Sequence, residues 1–159
     1  MAAVISILSV AALAAVDQVI KFFAERDLAP IGEKVVVPGF LGWEYVRNTG
    51  AAFGSFSNNT VVLSVITGII IVIGLAAIIM KKISNKFLLT VTVMIISGGI
   101  GNLIDRITKG YVTDYIKVLF VDFPVFNFAD ILVTCGSFML IIYLIRDIYN
   151  DRKKKKNGE

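Results

Sequence analysis

Residues 60–80 read TVVLSVITGIIIVIGLAAIIM, a run from Thr60 to Met80 without one charged side chain. A helix that crosses a bilayer needs roughly 20 mostly apolar residues, so this stretch predicts a membrane-spanning helix. The composition agrees: 57% of the 159 residues are hydrophobic, 18% are charged, and the mean hydropathy is +0.81. Such values lie outside the range of soluble domains and indicate an integral membrane protein.

Three further stretches meet the same length requirement, namely residues 2–24, 87–105 and 128–145. The sequence therefore predicts an all-α membrane fold with four transmembrane helices. Four spans leave no room for a second domain, so we expect one integral membrane domain over residues 1–159. The first stretch also permits a reading as a cleaved secretory signal peptide. It lacks a basic N-terminal region and stays apolar beyond Asp17, which favours a retained helix.

The positions of lysine and arginine predict how the helices are oriented. The loop 81–86 and the C-terminal end from Arg146 together carry nine basic and three acidic residues, a net charge of +6. Residues 17–47 and 105–130 together carry seven basic and nine acidic residues, a net charge of −2. Both termini and the loop 81–86 are therefore expected to face the cytoplasm.

On this orientation, residues 25–59 and 106–127 form the extracytoplasmic segments. The basic tail, residues 146–159, is interpreted as a cytoplasmic anchor that touches anionic lipid, rather than as a nucleic-acid site. Within the first outer segment, residues 33–37 and 43–46 are rich in valine and aromatic side chains and flank a turn. This pattern predicts a small extracytoplasmic β-sheet between helices 1 and 2.

The polar residues of the predicted helices gather at the outer membrane face. Asp17 and Lys21 are four residues apart, as are Asn102 and Arg106, so each pair shares a helix face and can interact. Charges in a membrane are costly and usually pair inside the bundle. For Asp17 and Lys21, a salt bridge at the membrane interface without a functional role is an equally good interpretation. The small residues 97–101 indicate that another helix packs closely there.

The missing residue types limit the chemistry. The chain has no histidine and one cysteine, Cys135. A serine–histidine or cysteine–histidine nucleophile is therefore excluded, as is zinc held by histidine. A catalytic serine activated by a lysine base is still possible, although the motif regions place no serine and lysine close together. Cys135 is interpreted as a small buried apolar residue of helix 4.

Carboxylate chemistry remains, and the candidates are Asp114 and Asp130. Two aspartates held close together cannot both ionise easily, so one keeps a proton. The pair can then supply a general base and a general acid without a metal or cofactor. The alternative is that Asp130 caps helix 4 and Asp114 is a solvated loop acid. Spacing alone leaves both interpretations open.

Five motifs stand in the order found in the lipoprotein signal peptidase family, bacterial signal peptidase II, and the chain resembles that family over nearly its whole length. They are Asp17-Gln-Val-Ile-Lys21, Arg47-Asn-Thr-Gly-Ala-Ala-Phe-Gly54, Gly101-Asn-Leu-Ile-Asp-Arg106, Val112-Thr-Asp-Tyr115 and Phe126-Asn-Phe-Ala-Asp130. Tyr115 is a small departure, because phenylalanine is common there in the family.

The resemblance implies a multi-pass aspartic endopeptidase of the bacterial cytoplasmic (inner) membrane, with its active site near the extracytoplasmic face. It implies removal of the signal peptide from prolipoproteins just before a cysteine that carries diacylglyceryl. The implied partners are that lipidated precursor and membrane phospholipid, with cyclic peptides as an inhibitor class. Neither a cofactor nor a nucleic-acid partner is implied.

The resemblance also assigns roles to residues. Asp114 and Asp130 match the catalytic pair, and no metal is expected. The matches to substrate-binding or site-organising positions are Asn48, Gly50, Ala51, Asn102, Arg106 and Asn127. The matches to positions of structural support are Asp17, Lys21 and Asp105.

Two other classes of protein remain possible on the sequence. A small transporter or channel subunit also places ionisable residues inside a helical bundle. Such a protein should favour sites at the membrane midplane or broken helices, whereas the charges here gather at one face. A scaffold protein should hydrolyse no peptide, whatever residues stand at positions 114 and 130.

Overall fold

The computed structural model describes residues 1–50 and 59–157, with side chains described up to residue 153 near the C-terminus. Within these residues the helices are α1 Ala2–Phe23, α2 Thr60–Ile79, α3 Lys86–Lys109 and α4 Phe128–Asn157. The strands are β1 Glu33–Val37, β2 Leu41–Asn48 and β3 Val112–Val118. A π-helical turn, Ala24–Leu28, prolongs α1.

All four helices of the described residues are long and apolar enough to cross a membrane. Large apolar side chains cover their outer surface; on α2, for example, Val61 is 73% exposed and Val72 is 66% exposed. An apolar surface of this extent is rare on soluble monomers and suits contact with lipid chains. The prediction of four membrane-spanning helices is confirmed.

Helix α3 lies at the centre and packs against each of the other three helices. Small residues make this possible. A Cβ atom at Gly98 would collide with the backbone carbonyl of Ala129, and one at Gly101 would collide with the carboxylate of Asp17. The close packing predicted from residues 97–101 is therefore confirmed.

The three strands form one antiparallel sheet in the order β1-β2-β3. Val46 on β2 faces Asp114 on β3, and Asn48 faces Val112. The two strands expected between helices 1 and 2 are present as β1 and β2, and the sheet also includes β3, which comes from the segment between α3 and α4. Its partner strand, β2, is far away in sequence, so no local turn pattern predicts their pairing.

Two helices are longer than expected. Helix α3 continues past residue 105 to Lys109 and ends where Gly110 adopts a left-handed conformation with φ of 80°. Helix α4 continues past residue 145 to Asn157, because the charged residues of the tail are good helix formers. Orientation across the bilayer and the single-domain organisation stay predictions.

Candidate active site

A cavity of about 790 Å³ opens where β2, β3, α3 and α4 meet. Asp114 reaches it from β3 and Asp130 from the first turn of α4. The remaining wall combines polar groups with a larger apolar part. Its polar members include Asn48, Gly50, Asn102 and Arg106, and its apolar members include Val46, Phe123, Pro124, Val125, Phe126 and Ile131. Ligand-binding clefts usually have this composition.

The start of α4 fixes Asp130. Asn127 precedes the helix, and its side-chain Oδ1 accepts a hydrogen bond of 2.9 Å from the backbone N–H of Asp130. In return, the Asp130 carboxylate Oδ2 accepts one of 3.1 Å from the backbone N–H of Asn127. This reciprocal arrangement is a capping box. It leaves the second oxygen of Asp130 available to other donors.

Asp114 is almost completely buried, with 1% of its surface exposed. Asn48 Nδ2 donates to its Oδ2 at 2.8 Å, and Asn127 Nδ2 donates to its Oδ1 at 2.6 Å. Burial raises the pKa of Asp114 to about 7, and the charge of Asp130 adds to the increase. The hydrogen bonds from the two asparagines and the charge of Lys21 oppose it in part. Asp114 therefore holds a proton up to near neutral pH.

Asn102 connects the aspartates to the interior of the bundle. Its Oδ1 accepts hydrogen bonds from Lys21 Nζ at 2.8 Å and Asn127 Nδ2 at 3.1 Å. Because a lysine ammonium can only donate, the oxygen of the Asn102 amide must face it. The amide nitrogen then faces Asp130 and donates to its Oδ1 at 2.8 Å.

Lys21 is fully buried and is balanced by two carboxylates. Its Nζ lies 2.9 Å from Asp17 Oδ2 and 3.3 Å from Asp105 Oδ2. Asp17 Oδ1 accepts the backbone N–H of Ala129 on α4, and Asp105 Oδ2 accepts that of Thr113 on β3. Buried charges persist only when they are paired and hydrogen-bonded. This network ties α1 and α3 to the elements that carry Asp114 and Asp130.

Arg106 lines the cavity wall from α3. Its Nη2 donates to the backbone carbonyl of Gly50 at 3.3 Å. The backbone N–H of Gly50 donates in turn to Asn48 Oδ1 at 2.9 Å, which closes a tight turn. The Nε atom of Arg106 is buried and has no hydrogen-bond partner among the described residues.

The structure brings the sequence-predicted residues together at one end of the bundle. Asp114, Asp130 and the predicted substrate-binding residues except Asn127 and Ala51 line the cavity. Asn127 is fully buried and hydrogen-bonds to both aspartates. Ala51 lies outside the described residues. The direct pairing of Asp17 with Lys21 is confirmed, whereas Asn102 and Arg106 each bond to other partners.

Two interpretations of the acids and the cysteine need correction. Asp114 is no solvated loop acid, because it is buried on a strand, while the capping role considered for Asp130 is present. Cys135 is exposed rather than buried, because it lies on the side of α4 that lines the cavity. The sequence reasoning also missed Thr134, next to Cys135, whose position one helical turn after Asp130 could have indicated it.

The described residues contain no group of three or more histidine, cysteine or acidic side chains that could hold a metal ion. What they offer in the cavity is two carboxyl groups oriented by three asparagines. A protonated and an ionised carboxyl group in one site can act as general acid and general base. Fold and site together define a multi-pass membrane protein with a cavity at one end of its helical bundle that contains two carboxyl groups.

Comparison with known proteins places this membrane protein in a family. Residues 9–146 match the sequence model of the family described as signal peptidase (SPase) II. A lipoprotein signal peptidase of Clostridium tetani (strain Massachusetts / E88) is 43% identical over 142 residues, which cover 86% of this chain and 90% of that protein. One of Caldanaerobacter subterraneus subsp. tengcongensis is 40% identical over 140 residues, 85% of this chain and 92% of that protein.

Two solved structures agree with this. Both are described as bacterial membrane enzymes determined by the in meso method, and both are 34% identical to this chain. For the first, the TM-score is 0.82 and the match covers 91% of this chain and 90% of that chain. For the second, the TM-score is 0.78 and the match covers 89% of this chain and 93% of that chain. The chain belongs to the signal peptidase II family, which is a family of proteases.

Proposed function

We propose that this protein is an aspartic endopeptidase that removes the signal peptide from diacylglyceryl-modified prolipoproteins, cleaving just before the lipidated cysteine. Membership of the family supports the removal of signal peptides from prolipoproteins. One observation supports the aspartic chemistry above all others. Asp114 and Asp130 line one cavity and are joined through the side chain and backbone of Asn127.

The proposed reaction uses the two carboxyl groups in different protonation states. Asp114 enters with a proton, because burial raises its pKa to about 7. Asp130 takes a proton from water as the water oxygen bonds to the carbonyl carbon of the scissile amide, and Asp114 gives its proton to the carbonyl oxygen. Asp130 then protonates the amide nitrogen, the C–N bond breaks, and Asp114 recovers its proton from the diol.

The surroundings of the cavity suit a membrane-bound substrate. The apolar wall from Phe123 to Phe126 and at Ile131 gives a signal helix a surface to pack on, with its lipid chains still in the bilayer. Arg106 adds a positively charged side chain to the cavity wall. We place the enzyme in the bacterial cytoplasmic membrane, among phospholipid, with the cavity near the extracytoplasmic face. Cyclic peptides are the inhibitor class that the family resemblance implies.

Replacing either aspartate tests the proposal. Asp114→Asn and Asp130→Asn should each lower cleavage of a diacylglyceryl-modified precursor by at least about a hundredfold, because each removes a group that transfers protons. Asp122→Asn is the matched control, since Asp122 is an exposed acid between β3 and α4. Cleavage is measured with purified protein in detergent or in proteoliposomes, and circular dichroism checks that each variant is folded.

A parallel assay with the unlipidated precursor tests the substrate class. Wild-type protein is expected to cleave only the lipidated form. Substantial turnover by Asp114→Asn or Asp130→Asn overturns the aspartic mechanism, and equal cleavage of both precursors overturns the requirement for diacylglyceryl. If wild-type protein hydrolyses neither, the endopeptidase assignment itself is wrong.

A further inference from the structure

A side-chain hydrogen bond joins β3 to the first turn of α4 without involving either carboxylate. The backbone N–H of Phe128 donates to the hydroxyl oxygen of Tyr115 at 3.1 Å. Tyr115 directly follows Asp114 on β3, and Phe128 stands two residues before Asp130 on α4. The bond therefore spans from one candidate catalytic segment to the other.

The first turn of α4 shows why this bond matters. The first N–H groups of a helix have no partner within the helix and need acceptors from elsewhere. Asp17 Oδ1 accepts from Ala129, and Asn127 Oδ1 accepts from Asp130. The hydroxyl of Tyr115 accepts from the backbone N–H of Phe128. Tyr115 lies on β3, the strand that also carries Asp114.

Tyr115 is itself held firmly, so it can transmit position. Only 4% of its surface is exposed. Its backbone N–H donates to the carbonyl of Phe126 at 3.1 Å, and its ring centroid lies 6.0 Å from that of Trp43 on β2. Burial raises the pKa of its hydroxyl, which therefore stays neutral.

We propose that Tyr115 is a positioning residue, whose hydroxyl holds the first turn of α4, and with it Asp130, at a fixed place relative to Asp114. The inference rests on the proposed function, because it concerns the rate at which the aspartates act. Tyr115 touches neither the scissile bond nor the transferred protons. Its effect passes through the backbone of Phe128.

Tyr115→Phe tests the inference, because it keeps the ring and removes only the hydroxyl. The expected result is a fall in kcat of about fivefold, the factor that one neutral hydrogen bond is worth, with KM changed less than twofold. The substrate is the diacylglyceryl-modified precursor. Tyr143→Phe is the matched control, since the hydroxyl of Tyr143 accepts a hydrogen bond of 3.3 Å from Asn85 and lies outside the cavity.

Hydrogen exchange of the Phe128 amide supplies a readout independent of activity. It should become faster in Tyr115→Phe and stay unchanged in Tyr143→Phe. Unchanged kcat, a rise in KM alone, or an equal loss in Tyr143→Phe overturns the inference. A loss of kcat in Tyr115→Phe that disappears on cooling, with normal hydrogen exchange at the Phe128 amide, also overturns the inference. That result indicates a general effect on stability. Failure of wild-type protein to cleave overturns the proposed function and this inference together, whereas active wild type with an unaffected Tyr115→Phe overturns only the inference.

Discussion

Asp114 is held in the cavity by amide groups rather than by an adjacent cation. Its two oxygens accept hydrogen bonds from Asn48 and Asn127. These donors are neutral and do not balance a negative charge. The Lys21 ammonium, whose charge lowers the pKa of Asp114 in part, is already paired with Asp17 and Asp105. Burial therefore has the larger effect, and the ionised form of Asp114 costs folding free energy.

This cost predicts a pH dependence of stability. The folded-state pKa of Asp114, about 7, lies above the ordinary value of 3.8. Its contribution to stability is therefore fully present below pH 3.8 and is lost as the pH rises through about 7. Relative to Asp114→Asn, wild-type protein should lose up to about 4 kcal/mol over this range.

Thermal unfolding followed from pH 4 to pH 8 measures the difference. Because Asp114 and Asp130 interact through their charges, the difference between wild type and Asp114→Asn reports the titration of the pair, in which Asp114 has the raised pKa. Asp122→Asn serves as the control, and its difference from wild type should stay constant. A difference between wild type and Asp114→Asn that is also constant with pH contradicts the raised pKa.

The spacing of residues along the sequence predicted only some of the contacts in the site. The four-residue separation of Asp17 and Lys21 was enough to predict their ion pair, in which Nζ and Oδ2 lie 2.9 Å apart. The partners of Asn102 could not be read in this way, since Asp130 is 28 residues away and Lys21 is 81 residues away. Such contacts depend on how helices pack. There the family resemblance supplied residues that physical reasoning from the sequence did not reach.

Helices and strands formed by interactions between residues close in sequence could be predicted, whereas those formed by distant residues could not. The helices depend on long apolar runs, and the hairpin of β1 and β2 depends on a nearby turn, so both could be predicted. Strand β3 contains Asp114 and Lys117 and pairs with a strand far earlier in the chain. Its valine, tyrosine and isoleucine favour a strand, but the pairing partner could only come from the folded arrangement.

The packing of α3 predicts contrasting effects of two glycine substitutions. Gly98→Ala should destabilise the protein by about 1–3 kcal/mol, because the new methyl group meets the backbone carbonyl of Ala129, which has little freedom to move. Gly68→Ala, on α2, meets no atom within 4 Å. It should be neutral or stabilising by about 0.5–1 kcal/mol, as expected for alanine in place of glycine within a helix.

Thermal midpoints of the two variants, measured in the same detergent, provide the comparison. Gly98→Ala should also reduce cleavage of the lipidated precursor, because Ala129 adjoins Asp130 at the start of α4. Equal midpoints for both variants contradict the close contact between α3 and α4.

At the scale of the whole molecule, the two ends of the helical bundle differ in chemistry. One end carries the sheet, the cavity and the buried network around Lys21. The other carries the loop between α2 and α3, with its lysines, and the basic end of α4. Positive charge usually remains on the cytoplasmic side. The asymmetry therefore predicts that the cavity end faces out of the cytoplasm, where a translocated precursor is accessible.

Labelling of single cysteines in intact bacterial cells tests this orientation. Because Cys135 is the only cysteine of the chain, Cys135→Ser gives a background without thiols. Lys34→Cys places a thiol on exposed β1, and Lys82→Cys places one on the exposed loop after α2. The two sites are separated by helices long enough to span roughly 30 Å of hydrocarbon. A membrane-impermeant maleimide should label Lys34→Cys in intact cells and Lys82→Cys only after permeabilisation. The reverse pattern means that the cavity faces the cytoplasm, and the proposed cleavage of translocated precursors then fails, because the buried aspartates lie on the wrong side of the membrane.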